Sequence, residues 1–352
     1  MIHLILTACL VTQPGACGPI LLPQGQADDM KSCQNGADRI SRNWLSDHPE
    51  LAGQATTCLP ADKLPTLKLD QIAPGVFVHL GETRQLEDSD SGQIANLGVV
   101  VGDLSVAVID AGVSRIQGQM LYAALRQITD KPISHLILTH MHPDHVLGAS
   151  VFAEAGAQIW GHHALPNSLT FRQDRYLENL ARLYSPQAMI GTRVVLPDHA
   201  VRDVAQIDLG GRVLSLIPAR TAHTDNDLMV RDDREQVLFA GDLVFRDLTP
   251  VVDGSLTGWL DWHRLPPSPM PRLIVPGHGP VAQDWESAIG PQRAFLVALA
   301  DATRAQIAAG KPMSAAVPQI AQDLAPFEPG WNAFAPTVAR DATAAFKELE
   351  WE

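Results

Sequence analysis

Thr139-His140-Met141-His142-Pro143-Asp144-His145 directly follows the apolar run Ile133 to Leu138. Four cation-binding side chains in one short loop restrict the fold more than any other feature of the chain. Zinc at a catalytic site takes three protein ligands and keeps a position for water, so this loop cannot complete a shell alone. Three later segments have the same form, an apolar stretch running into a metal-compatible residue among small neighbours: Ala222-His223-Thr224, Ala240-Gly241-Asp242 and Pro276-Gly277-His278-Gly279. Glycines beside Asp242 and His278 let the backbone turn tightly as it delivers those side chains. The chain therefore needs a fold in which four strand ends meet at one point.

The surrounding pattern supplies such strands. From Leu67 onward, apolar runs at Val76 to Leu80, Ile94 to Val101 and Val106 to Ile109 lie too close together for crossover helices and predict an antiparallel meander. Gln117 to Ile128 predicts a helix before the strand at Leu136 to Leu138, and Gln158 to Trp160 predicts the next strand. A second series follows at Val201 to Ile207, Val213 to Ile217, Leu228 to Val230, Val237 to Phe239 and Leu273 to Val275. Residues 168–188, 285–308 and 335–349 read as helices. Two β-rich halves with helices outside give an α+β fold, a four-layer αββα sandwich over residues 66–352.

Residues 1–65 read as a separate module. All four cysteines, Cys9, Cys17, Cys33 and Cys58, fall within it, with no C-x-x-C spacing to suggest a zinc knuckle. An even number in a short segment suits two disulfides, with three connectivities open, and implies an oxidising compartment, periplasmic or secreted. Residues 1–27 contain no Lys or Arg, and the apolar stretch Ile2 to Leu6 is short for a signal peptide. Met30, Cys33, Ala37, Ile40 and Trp44 recur in steps of three and four, marking one face of a helix that starts near Asp28 or Asp29. Lys and Arg number 26 against 39 Asp and Glu, a balance that would repel a phosphate backbone and excludes a nucleic-acid partner. No apolar run reaches the roughly 18 residues of a membrane span.

The motif H-x-H-x-D-H followed by His, Asp and His at strand ends resembles the metallo-β-lactamase superfamily over residues 67 to about 310. The resemblance implies that His140, His142 and His223 hold one zinc ion, that Asp144, His145 and His278 hold a second, and that Asp242 bridges the two. Ions roughly 3.5 to 4 Å apart acidify a shared water to a pKa of about 7, with Asp144 as the catalytic residue that orients it. Members with a cysteine ligand place it where this chain has Asp242, so the resemblance is to thioesterase, lactonase and glyoxalase II-like members. Asn96-Leu97-Gly98, Trp160-Gly161-His162, Phe239-Ala240-Gly241-Asp242-Leu243 and Asp253-Gly254-Ser255-Leu256-Thr257-Gly258-Trp259-Leu260 are similar to the zinc metallohydrolases of quinoprotein relay systems. That branch implies a functional association with a quinoprotein dehydrogenase system.

Ligating imidazoles usually hand their other N–H to a carboxylate. Asp110 and Asp227 are the candidates for that role, against the alternative of ordinary turn acids. His162 and His263 are candidate substrate contacts, against the alternative of structural residues. The expected activity is hydrolysis of a small ester, thioester, lactone or lactam. The alternatives are a mononuclear-iron dioxygenase acting on a persulfide, and a non-catalytic metal-binding accessory of a redox relay.

Overall fold

In the computed structural model, which describes residues 1–352, the chain opens with β1 (Ile2–Leu10), β2 (Gln13–Ala27), α1 (Met30–Ser46) and β3 (Leu51–Pro60). The apolar N-terminal stretch is the middle strand of an antiparallel sheet, β2-β1-β3. The N-terminal residues thus build a three-stranded sheet that the sequence pattern did not announce, in addition to the expected helix. Asp29 caps α1 by accepting from Ser32 N at 2.9 Å. Cys33, Ala37 and Trp44 are buried, whereas Met30 in the first turn is exposed. Cys9 pairs with Cys17 across the β1–β2 hairpin, and Cys33 ties α1 to Cys58 on β3.

The remaining chain forms two sheets. The first has the order β10-β9-β8-β7-β6-β5-β4, built from β4 (Asp70–Ala73), β5 (Val76–His79), β6 (Leu97–Val101), β7 (Val106–Ile109), β8 (Ile133–Leu138), β9 (Gln158–His162) and β10 (His199–Val201). Strands β4 to β7 are the antiparallel meander; β7 to β10 run parallel. The parallel crossovers are made by α2 (Arg115–Ile128), by α3 (Pro143–Val146) with α4 (Ala149–Glu154), and by α5 (Leu165–Leu183). The second sheet is β11 (Ala205–Asp208), β12 (Val213–Pro218), β13 (Leu228–Asp232), β14 (Val237–Phe245) and β15 (Leu273–His278) in that order. Its first four strands are antiparallel and the last pair parallel, joined through α6 (Leu256–His263). Three helices end the chain: α7 (Trp285–Ala308), α8 (Met313–Asp323) and α9 (Phe334–Leu349).

Period-two alternation divides the strands between layers. On β7, Val106 and Val108 face α2 and α4, while Ala107 and Ile109 face the second sheet. Leu136 and Leu138 against Ile137 do the same on β8. The inner core continues through Leu214, Leu216, Val230, Phe239 and Val275, and α6 to α9 cover the far face of the second sheet. These are the four layers, α-β-β-α. One expected strand divides: Val201 to Ile207 is two strands in different sheets, because the bend after Val201 takes the chain from its edge position beside β9 to its pairing with β12. The N-terminal module packs on α2, where buried Arg115 donates to Leu21 O at 3.0 Å, pairs with Glu154 at 2.7 Å and lies over the Trp44 ring.

Candidate metal centre

The seven candidate donors lie together at one edge of the sandwich. His140 and His142 leave β8, Asp144 and His145 lie on the turn of α3, His223 precedes β13, Asp242 is within β14, and His278 ends β15. His140, His142, His223 and Asp242 form one group of converging donor atoms, Asp144, His145 and His278 another. In the first group His140 Nε2 and His223 Nε2 each lie 3.0 Å from His142 Nδ1. In the second, Asp144 Oδ2 is 3.4 Å from both His145 Nε2 and His278 Nε2. Asp242 faces both groups: Oδ2 is 3.6 Å from His140 Nε2, 3.4 Å from His223 Nε2 and 3.3 Å from His278 Nε2, and Oδ1 is 3.2 Å from His145 Nε2.

These separations fit zinc. Tetrahedral bonds of about 2.0–2.1 Å set neighbouring donors about 3.3 Å apart. A buried donor set held that close is costly without a cation, and the His145 Nε2 and Asp242 Oδ1 atoms are buried with no hydrogen-bond partner in the protein. Burial depresses the imidazolium form of His140, helped by the neighbouring His145, and takes His223 down to about 3, which leaves both rings in the neutral, ligating form. His145 is pushed up, because Asp242, Asp144 and Asp110 together outweigh its burial. Asp242 is held well below the usual carboxylate range, since His278, His145 and His140 outweigh the cost of burying it.

The nitrogens turned away from the centre are also engaged. His145 Nδ1 donates to Asp110 Oδ2 at 2.8 Å, His223 Nδ1 to Val251 O at 2.7 Å, and His278 Nδ1 to Ile94 O at 2.9 Å. His140 Nδ1 lies 3.0 Å from Thr139 Oγ1, and His142 Nε2 is 3.2 Å from Asp253 Oδ2. Such outer partners fix tautomer and ring orientation. Two glycines show why small residues flank the donors. A Cβ on Gly277 would overlap Asp242 Oδ1, and Gly241, in the left-handed region at φ +54°, lies against the Thr139 side chain.

Asp110 accepts from an imidazole of the donor set, His145. Asp227 does not: its carboxylate accepts from Thr224 N at 2.9 Å and Thr224 Oγ1 at 2.6 Å, so it shapes the His223 turn while a main-chain carbonyl takes the imidazole proton. Burial raises its pKa to about 8. His263 is displaced from its expected role too, being buried and bonded to Gln292 at 3.0 Å on the far side of Trp259. His162 is buried and accepts from Ala164 N at 3.2 Å within its own turn. Three contributors lie in segments that carry the resemblance but are not singled out there as individual residues. Asp253 reaches His142 from a distant loop, Asn96 donates to Pro276 O and Gly279 O on either side of the His278 turn, and Trp259 backs His223 with ring centroids 5.4 Å apart. The Asp253 to Leu260 segment contained two of them, without any spacing that says which side chains face the metal.

The sequence profile of the metallo-beta-lactamase superfamily matches residues 91–288, and the chain belongs to that superfamily. Among solved structures, a stereoselective inverting sec-alkylsulfatase from Pseudomonas sp. superposes with a TM-score of 0.60 over 80% of this chain and 50% of that one, at 13% identity. A metallo-beta-lactamase from Pontibacter korlensis superposes with a TM-score of 0.50 over 66% of this chain and 99% of that one, at 19% identity. A linear primary-alkylsulfatase from Pseudomonas sp. is 42% identical over 45 residues, 13% of this chain and 8% of that enzyme's length. The structural likenesses share the fold; the last is confined to a short stretch.

Proposed function

We propose that this chain is a two-zinc hydrolase of small carboxylic esters, thioesters, lactones or lactams. The observation that carries the reading is the division of seven donors into two groups with Asp242 facing both, because one ion cannot use so many. When bound, the ions supply an acidified water and polarise the substrate carbonyl. The chain does the rest. Asp110, Thr139, Asp253 and two carbonyls hold the imidazoles in place, and the Asp144 carboxylate, adjacent to His145 and His278, is the group set to orient the attacking water and hold its proton.

The two disulfides fit an oxidising compartment, and we place the enzyme in the periplasm or outside the cell, in functional association with a quinoprotein dehydrogenase system. Sulfate esters are a second substrate class, favoured by the local similarity to the linear primary-alkylsulfatase and by the cationic approach described below. Metal analysis of purified protein, with a panel of ester, thioester, lactone, β-lactam and alkyl sulfate substrates, tests the proposal. Close to two zinc ions and turnover of an acyl substrate are expected. About one equivalent of iron would point to persulfide dioxygenation, and two zinc ions with turnover of alkyl sulfate alone would move the substrate to the second class.

A further inference from the structure

A cavity beside the metal centre is walled by two helices that both bring positive charge into it. A cavity of about 800 Å³ opens beside His142 and Asp253, bounded by Arg172 and Arg175 of α5 and by Arg340 and Lys347 of α9. Positions 172 and 175 are three apart and positions 340 and 347 seven apart, so each pair lies on one face of its helix. Asp253 is the single carboxylate in the lining, and it is already engaged by His142 at 3.2 Å, with Arg172 3.7 Å away. Arg175, Arg340 and Lys347 make no ion pair, although the chain has 39 acidic residues for 26 basic ones. Facing cations at the mouth of a cavity repel one another and raise the local concentration of anions. Guanidinium groups bind carboxylate, sulfate and phosphate through paired N–H donors. Phe171, 87% exposed, and Val251 line apolar parts of the same space.

We infer that the substrate carries an anionic group set apart from the bond that is cleaved, and that Arg175, Arg340 and Lys347 hold this group while the scissile bond lies at His142. The inference rests on the hydrolase reading and supplies its substrate class: an acyl compound with a carboxylate, sulfate or phosphate at the far end of a short apolar chain.

Two measurements, the first on the zinc-loaded enzyme, separate the inference from the reading beneath it. The first compares KM for p-nitrophenyl butyrate with KM for the carboxylate-terminated p-nitrophenyl hemiester of glutarate. The wild type should favour the anionic ester, and Arg340→Gln and Arg175→Gln should each shift the ratio of the two KM values against it by about tenfold, the size of one lost charge-assisted hydrogen bond. Raising the salt from about 50 to about 500 mM should erode the preference, since the cations are exposed. The second is calorimetric binding of glutarate to zinc-loaded and zinc-stripped protein. Binding that survives stripping and weakens in Arg340→Gln supports the inference, even if neither ester is hydrolysed, in which case the hydrolase reading alone fails. Turnover of both esters without a charge preference, or glutarate binding lost on stripping and indifferent to both arginine variants, would overturn the inference and leave the hydrolase reading standing.

Discussion

Replacing Asp110 by asparagine exchanges one oxygen for an amide nitrogen at the outer edge of the metal centre. Asp110 sits at φ +60°, a conformation that Asn tolerates as well as Asp, so the backbone has no reason to move. Its Oδ1 accepts from Thr139 N, and its Oδ2 accepts from Thr139 Oγ1 and His145 Nδ1, all at 2.8 Å. With its one oxygen kept on Thr139 N, the asparagine points an N–H at the His145 Nδ1–H. Two outcomes follow. Either two buried donors face each other, at a cost of about 1–3 kcal/mol, or the imidazole shifts its proton to Nε2, the atom 3.2 Å from Asp242 and 3.4 Å from Asp144, and loses the lone pair meant for the ion. The Thr139 hydroxyl can rotate to accept from the new amide and so spares His140. Loss of an outer partner costs metal affinity about 10- to 100-fold, or about 1.4–2.7 kcal/mol. That cost should fall on the ion bound by Asp144, His145 and His278, with a smaller loss at the one bound by His140, His142 and His223. Titration of stripped protein with zinc against a chromophoric chelator, with a thermal melt to confirm folding, resolves the two affinities. Unchanged affinities, or equal losses at both positions in a folded protein, would refute the division into two groups.

Asp242→Ala should retain about one zinc per chain and lose most turnover, because the three-histidine group remains intact while the carboxylate facing both groups is gone; two tightly bound ions with unchanged turnover would argue against a shared aspartate. Opening the Cys33–Cys58 bridge, which spans 25 residues, should destabilise the N-terminal module by about 3.5 kcal/mol, and opening Cys9–Cys17, which spans 8, by about 2.5 kcal/mol; urea denaturation of the serine double variants reads the order. Burial and the nearby Arg293 lower the pKa of His263 to about 3. The unfolded chain therefore takes up a proton below pH 6.5 that the folded state refuses, and stability falls by about 1.4 kcal/mol per pH unit from there toward pH 3. Zinc-stripped His263→Gln should lose less stability than wild type between pH 6.5 and 4.5, and equal slopes would locate the acid sensitivity elsewhere.

The sequence shows most clearly what local chemistry determines. Alternation on β7 and β8 follows from a layer on each side, and the cap and stripe of α1 are carried by Asp29, Cys33, Ala37 and Trp44 within one segment. The seven donors stand out because their residue types at strand ends have few other uses. What stays hidden depends on distant partners. Asp227 and Asp110 look alike as acids beside turns, yet only Asp110 is aimed at an imidazole, because β7 and β8 are neighbours and the chain reverses at Asp227 onto its own Thr224. His263 has the side chain of a site residue and the burial of a core one. The β-structure of the N-terminal residues was obscured by β2, rich in Gly, Pro and Gln, whose pairing is fixed by its register against β1 and by the Cys9–Cys17 disulfide.

The C-terminal helix shows how far the centre extends along the chain. Residues 251–253 supply acceptors to two ligands, Val251 O to His223 and Asp253 to His142, and this short segment has no strand of its own to stiffen it. It is held from behind by α9. Asp341 Oδ1 accepts from Val252 N at 3.0 Å, and the Glu348 carboxylate accepts from Leu256 N at 2.7 Å and from the hydroxyls of Ser255 and Thr257 at 2.7 and 2.6 Å. Burial raises the Asp341 pKa to about 7. The face of α9 that carries Arg340 and Lys347 lines the cavity beside His142, so the helix that braces the acceptors of the first donor group also brings positive charge to that cavity. One helix, some 60 residues beyond the last donor, His278, thus touches both the segment that carries these acceptors and the cavity beside His142.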